Sequence, residues 1–185
     1  EVVPLRQMTG GASFNEVFFN EVRVPDDHRL GDVNQGWTVA LTTLMNERVA
    51  IGGAVAPRGS GPIADAVRTW QEYGHDDPAA RDRLMQLWIE SEAARLTNLR
   101  AAQMRTRGTP GPEGSPAKLV YADVNKRIYE YVVELMGPDG MLYDTYEETR
   151  PDEFTGHPRT KASLRARANS IAGGTSEIMK NILGE

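Results

Sequence analysis

Apolar and polar positions over the first 30 residues follow no helical period. Val17-Phe18-Phe19-Asn20-Glu21-Val22-Arg23-Val24 mixes aromatic and β-branched residues and stops at Pro25, which predicts a strand, with a turn upstream at Thr9-Gly10-Gly11. Past Gly31-Asp32 the period lengthens. Trp37, Leu41, Leu44, Met45, Ile51 and Val55 recur at helical spacing, so a helix is expected over 35–56, closed by Pro57-Arg58-Gly59-Ser60-Gly61-Pro62. A short helix over 63–73 comes next. Asp77-Pro78 reads as an N-cap followed by the proline that suits a first helical turn, and Leu84, Leu87, Trp88, Ala94, Leu96, Leu99 and Met104 carry a broad apolar face on to Arg107.

The stretch Gly108-Thr109-Pro110-Gly111-Pro112-Glu113-Gly114 has the composition of a loop. Ser115-Pro116 repeats the cap-and-proline signal and opens a helix to Met136, whose apolar face is Leu119, Val120, Val124, Ile128, Tyr131, Val132 and Leu135. Gly137-Pro138-Asp139-Gly140 breaks it. A polar stretch leads to a basic helix over 160–168, and Ala172-Gly173-Gly174-Thr175-Ser176 interrupts again before a last helix from Ser176. With no internal repeat and no sustained heptad, the pattern predicts a mainly α fold. It is an antiparallel four- to five-helix bundle over 31–185, preceded by a short β segment over 1–30.

Composition narrows the chemistry. The 185 residues are 39% hydrophobic and 25% charged, enough for one globular domain with an additional segment. The absence of cysteine excludes a disulfide scaffold, a thiolate nucleophile, a cysteine zinc site and an iron–sulfur cluster, and it suits a cytoplasmic protein. A net charge of −5 disfavours nucleic acid and anionic lipid as partners. No apolar run approaches the roughly 20 residues that span a bilayer, so no membrane span is expected. The opening Glu1-Val2-Val3-Pro4-Leu5-Arg6 has neither an initiator Met nor a basic signal region, as expected of a piece of a longer chain.

His28, His75 and His157 fall in three separate loops and share no helical spacing with carboxylates, so no metal site is expected. There is no nucleophile elbow, P-loop or dinucleotide-binding glycine fingerprint. Two features remain. Glu47, in Asn46-Glu47-Arg48, stands three residues after Leu44 and four before Ile51, on or beside the apolar stripe. It reads either as a boundary carboxylate paired with Arg48 or a neighbouring helix, or as a general base tuned by partial burial. In Ile171-Ala172-Gly173-Gly174-Thr175-Ser176-Glu177-Ile178, two glycines permit close backbone approach and the next helix offers free amides to an electron-rich ligand. An ordinary helix–helix turn with a Thr or Ser cap explains the same residues without a ligand.

These residues carry a resemblance. Phe14-Asn15-Glu16-Val17-Phe18-Phe19 through Val22-Arg23-Val24-Pro25, Gly36-Trp37, Asn46-Glu47-Arg48-Val49-Ala50-Ile51-Gly52, and the closing Ile171 to Met179 resemble the acyl-CoA dehydrogenase family. The likeness runs from the end of its middle β-domain (1–30) through its C-terminal helical domain (31–185). It implies a bundle that shelters FAD and forms a dimer-of-dimers core, hence a homo- or hetero-tetramer. It also implies an acyl-CoA substrate oxidised between Cα and Cβ, and an acceptor of the electron-transfer flavoprotein type. Many members carry the catalytic base just before the Gly-Thr of the C-terminal signature; that position is Gly173 here, which cannot serve. A second group carries it on the first helix directly before an Arg, which matches Glu47, with Arg48 near the substrate. The resemblance further places Gly173 at the substrate, Thr175 and Glu177 near the flavin, and Glu134, Gly137 and Gly140 at the adenosine end of FAD.

The chain departs from the family pattern in three places. Glu134 and Glu177 stand where Gln is common. The Arg-x-x-Phe-Gly element that reaches the FAD pyrophosphate of a neighbouring subunit has only Arg68-Thr69-Trp70-Gln71-Glu72-Tyr73-Gly74 in its place. In this the chain is similar to members assembled from unlike subunits with fewer flavins. Two other readings therefore stand beside the dehydrogenase: a structural subunit that completes a partner's flavin site, and a flavin monooxygenase or nitroalkane oxidase relative on the same fold.

Overall fold

The computed structural model describes residues 1–51, 55–74, 77–107, 114–142 and 159–184, with the backbone alone over 45–51 and at 105, 107 and 114. The expected loop over 108–113, His75, His157 and the polar stretch before 159 lie outside the described residues.

The N-terminus is an antiparallel hairpin of β1 (Val2–Leu5) and β2 (Phe14–Val17), with Val2 opposite Val17 and Leu5 opposite Phe14. Its turn closes where expected: Gly10 N donates to Gln7 O at 2.9 Å and Gln7 N to Gly11 O at 2.8 Å, with Gly10 at φ +80°. The predicted strand over 17–24 is corrected. Only Val17 of that run lies in a strand; the pairing runs on to Phe18, whose amide and carbonyl bond Glu1, and the left-handed Glu21 (φ 52°) then turns the chain away. β1 lies within the β segment expected over 1–30, and a two-stranded ribbon leaves one edge free to accommodate its Pro4.

Helix α1 (Gly36–Ile51) follows the left-handed Gly31 and Asn34. Its apolar period is present, yet over 36–44 no side chain is buried, and Trp37, Leu41 and Leu44 stay exposed. Among the described side chains, the stripe residues Trp37, Leu41 and Leu44 have no counterpart in the core.

The core belongs to the remaining helices: α2 (Pro62–Thr69), continued by a π-type turn at Trp70–Gly74, α3 (Pro78–Arg107), α4 (Gly114–Met136), α5 (Arg159–Ala166) and α6 (Ser176–Gly184). Helix α4 is central, packing against all four others. It buries Val124, Ile128, Tyr131 and Val132 against Ile63 and Ala66 of α2, Leu84 and Leu87 of α3, and Ala166 of α5. Two phenols pin it. Tyr129 donates to Asp65 at 2.8 Å and Tyr131 to the carbonyl of Ala80 at 3.1 Å, so burying each ring leaves its hydroxyl satisfied. On the outer face Arg127 clasps Glu90 of α3 through both guanidinium nitrogens, at 2.5 and 2.7 Å.

The caps behave as their chemistry dictates. Asp77 Oδ1 accepts from the amides of Ala79 (2.8 Å) and Ala80 (3.2 Å) at the start of α3. After α4 the chain turns through a 3-10 segment, Gly137–Met141, and the hydroxyl of Thr160 donates to Gly140 O at 3.0 Å, seating α5 against it.

Candidate functional site

The turn between α5 and α6 is built on two adjacent glycines at positive φ. Gly173 (φ 69°) and Gly174 (φ 102°) both occupy conformations that favour glycine, and a Cβ on Gly174 would stand 2.6 Å from Met179 Cε in the core. Glycine at 174 is required by its handedness, since the flexible end of Met179 could move aside for a Cβ. Thr175 then starts α6: its Oγ1 accepts from Ile178 N at 3.3 Å and its carbonyl from Met179 N at 3.0 Å. Glu177 sits in the first turn. Its own backbone amide, and then the Thr175 hydroxyl, hold its carboxyl below the usual range, so it is an anion at neutral pH.

Sequence reasoning missed one member of this cluster. Lys118, one turn into α4, reaches across to donate to the Gly174 carbonyl at 2.5 Å. A single lysine between Ala117 and Leu119 looks like any helix-surface cation, and no spacing rule connects it to a turn 56 residues on.

At the other end of α4 stand Glu134, Gly137 and Gly140. Gly137 is exposed at φ 56°, and a Cβ there would meet nothing within 4 Å, so the outer side of this turn is open to close approach. Gly140 has a different duty. It is buried, and an added Cβ would stand 2.7 Å from the Val133 carbonyl, so its lack of a side chain serves packing. Glu134 is ion-paired with Arg83, whose guanidinium also lies 5.6 Å from the centre of the Tyr131 ring. At about 1.5 Å of rise per residue, Lys118 and Gly137 are about 28 Å apart along α4. The structure therefore brings Gly173, Thr175 and Glu177 together, gathers Glu134, Gly137 and Gly140 separately, and holds the two groups at opposite ends of one helix.

Glu47 and Arg48 occupy the last turns of α1, where only the backbone is described. The segment 68–74 spends its polar groups internally: Arg68 pairs with Asp65, Thr69 Oγ1 donates to Asp65 O at 2.8 Å, and Glu72 pairs with Arg159 at 2.5 Å. Trp70 packs on Gly74 with its indole N–H buried and without a partner.

Whether these residues suit a flavin dinucleotide can be judged from the two turns. The turn at Gly173-Gly174 lies beside the N-terminus of α6, Gly137 leaves the other turn open to solvent, and the Glu134 carboxylate there is ion-paired with Arg83. The residues fit such a group.

Residues 34–185 match the family model described as acyl-CoA dehydrogenase, C-terminal domain. Among named relatives, acyl-CoA dehydrogenase FadE34 of Mycobacterium tuberculosis (strain ATCC 25618 / H37Rv) is 33% identical over 186 residues, covering 100% of this chain and 24% of its own length. Among solved structures, a glutaryl-coenzyme A dehydrogenase glutaryl-CoA complex superposes with a TM-score of 0.76 at 20% identity, over 100% of this chain and 46% of that one. The ChsE4-ChsE5 complex from Mycobacterium tuberculosis superposes with a TM-score of 0.70 at 22% identity, over 100% of this chain and 48% of that one. The chain thus spans between a quarter and a half of the length of these proteins. Bundle, glycine turn and family match agree: the chain belongs to the acyl-CoA dehydrogenase family, of which it carries the C-terminal domain.

Proposed function

We propose that this chain is part of an FAD-dependent enzyme that oxidises an acyl-CoA thioester between Cα and Cβ, with Glu47 as the base. The observation that carries this reading is Gly173, left-handed and without a side chain where many family members hold their base. That leaves Glu47, directly before Arg48, as the carboxylate at the alternative position. FAD, when bound, supplies the acceptor for the hydride that leaves Cβ. Glu47 takes the α-proton onto a carboxylate oxygen, and Arg48 orients the substrate beside it. Gly173 lets the backbone approach the thioester. Thr175 and Glu177 flank the flavin, and Glu134, Gly137 and Gly140 meet an adenosine end, that of a neighbouring copy given the about 28 Å between the turns. Residues 1–30 then close a middle β-domain and 31–185 form the bundle of a cytoplasmic homo- or hetero-tetramer that passes electrons to a flavoprotein acceptor.

The test is Glu47→Gln in the full-length protein, an isosteric change that removes the base. Anaerobic addition of the acyl-CoA that bleaches the wild-type flavin should leave the variant's flavin oxidised, with FAD content unchanged. Rapid bleaching of the variant would assign proton removal to another group.

A second reading, a subunit that completes a partner's flavin site, is favoured by Arg68: its guanidinium is committed to Asp65, three residues away on α2. The likeness to a two-protein complex is consistent with it. Counting FAD per chain in the native assembly separates the two, since a structural subunit gives fewer flavins than chains.

A further inference from the structure

Glu72 is a carboxylate standing among cations. It lies on the π-type turn after α2, and Arg159, the first residue of α5, donates to both of its oxygens, at 2.5 and 2.8 Å. Arg159 first, and Arg68 one turn earlier on α2 after it, hold this carboxyl below the usual range. The other carboxylate of the cluster, Asp65, already has Arg68 and the Tyr129 hydroxyl as partners.

Consecutive residues of α5 reach two different turns. Arg159 holds the π-type turn through Glu72, and Thr160 donates to Gly140 O at 3.0 Å. The guanidinium therefore stands one residue from the contact that seats α5 on the turn Gly137–Met141, where Gly137 is open to close approach. Of its five N–H donors the pairing with Glu72 takes two.

Carboxylate and phosphate ask the same of an arginine, two oxygens in the plane of its fork. The two partners here are unequally fixed: the Arg159 side chain is 22% exposed and that of Glu72 52%, so the arginine is held and the glutamate is the one free to swing into water. An ion pair with so exposed a carboxylate holds off a competing anion by no more than about fivefold. A diphosphate carries more charge than the carboxylate it replaces and gains more from the combined field of Arg159 and Arg68.

We propose that Arg159 is a diphosphate-binding residue at this end of the bundle, and that Glu72 is a resident carboxylate which the ligand displaces. The segment 68–74 then supplies the occupant of the site, and α5 supplies the cation. The source of the diphosphate, a flavin dinucleotide whose adenosine end meets Glu134, Gly137 and Gly140, rests on the reading given under Proposed function.

The experiment uses the full-length protein and two variants with opposite expected effects. Glu72→Gln keeps size and a hydrogen-bond acceptor but removes the competing charge, and Arg159→Met keeps the stem but removes the fork. With flavin removed, inorganic pyrophosphate followed by calorimetry should bind about fivefold tighter to Glu72→Gln and about tenfold weaker to Arg159→Met. The FAD dissociation constant, read from flavin fluorescence, should move in the same two directions. A purely structural ion pair gives another pattern, because breaking it from either side is one loss: both variants bind more weakly, or both bind as wild type. Arg159→Lys keeps the charge without the fork and should weaken pyrophosphate about threefold, which supplies the arginine arm if the Met variant does not fold. Failure of Glu72→Gln to tighten pyrophosphate, or of the folded Arg159 variants to weaken it, overturns the proposal. If pyrophosphate follows the expected pattern while FAD affinity stays at the wild-type value, the anion site stands and the placing of an adenosine end at Gly137 and Gly140 fails.

Discussion

Tyr131 shows how one residue couples packing to pH. It is 1% exposed, its hydroxyl donates to Ala80 O, and burial pushes its ionisation from 10.0 up to about 12. Tyr129 is shifted the same way, first by burial and then by its bond to the Asp65 carboxylate. Below pH 10 both phenols are protonated whether the chain is folded or not. Between pH 10 and about 12 the unfolded chain loses protons that the folded one keeps, so stability falls as pH rises through that window. The urea midpoint of the full-length protein should therefore drop between about pH 8 and about pH 11, and drop less in Tyr131→Phe. An equal drop in the variant would mean that other groups carry the alkaline loss. Ala80 also explains why this phenol is fixed so firmly, since its amide is bound by the cap of α3.

At the scale of elements that cap makes a prediction of its own. Asp77→Ala removes the acceptor for two amides and should cost about 1 kcal/mol, whereas Asp77→Asn should cost less because it keeps an acceptor oxygen. Urea unfolding of both variants checks the order. The starts of α3 and α6 were legible because capping is local: the residue that caps lies within three positions of the amides it satisfies. The break at 137–140 was legible for a similar reason, proline and glycine acting on their own backbone. Strand pairing was not. Whether Val17 to Val24 forms a strand depends on pairing with residues elsewhere, and among the described residues the ladder with Val2–Leu5 takes in only Val17 of that run. The same holds for the π-type turn at Trp70–Gly74, where a Cβ on Gly74 would run into the Trp70 ring.

At the scale of the whole molecule, the buried apolar core among the described residues lies in the bundle, although Ile89, Leu96 and Ile171 there are exposed; Val2, Phe14, Phe19, Val24, Leu30, Trp37 and Leu41, from the N-terminus into α1, are all exposed. So much exposed apolar area is uncommon in a free-standing domain and marks surface that associates. The 185-residue chain expressed by itself should fold through its bundle, bind FAD poorly, show no dehydrogenase activity and self-associate, because the hairpin and the first half of α1 keep their apolar residues uncovered. Light scattering and a visible spectrum are the check; a yellow monomer with one FAD per chain would show that the cofactor site is complete within these residues. No helix among the described residues is long and apolar enough to cross a membrane.

The sequence by itself determined the helices, their caps and breaks, the glycine turn and, through the residues around Glu47 and Gly173, the family. These are encoded within a few residues of where they act, by side-chain period, proline and glycine stereochemistry, and capping. Tertiary structure decided which of those residues meet. It divided the cofactor candidates between two ends of α4, turned Gly140 into a packing residue, tied Glu134 to Arg83 and brought Lys118 onto the Gly174 carbonyl. The Gly140 approach is set by the turn folding back on the end of α4, and the pairings of Arg83 with Glu134 and of Lys118 with Gly174 by the packing of α3 and α6 against α4.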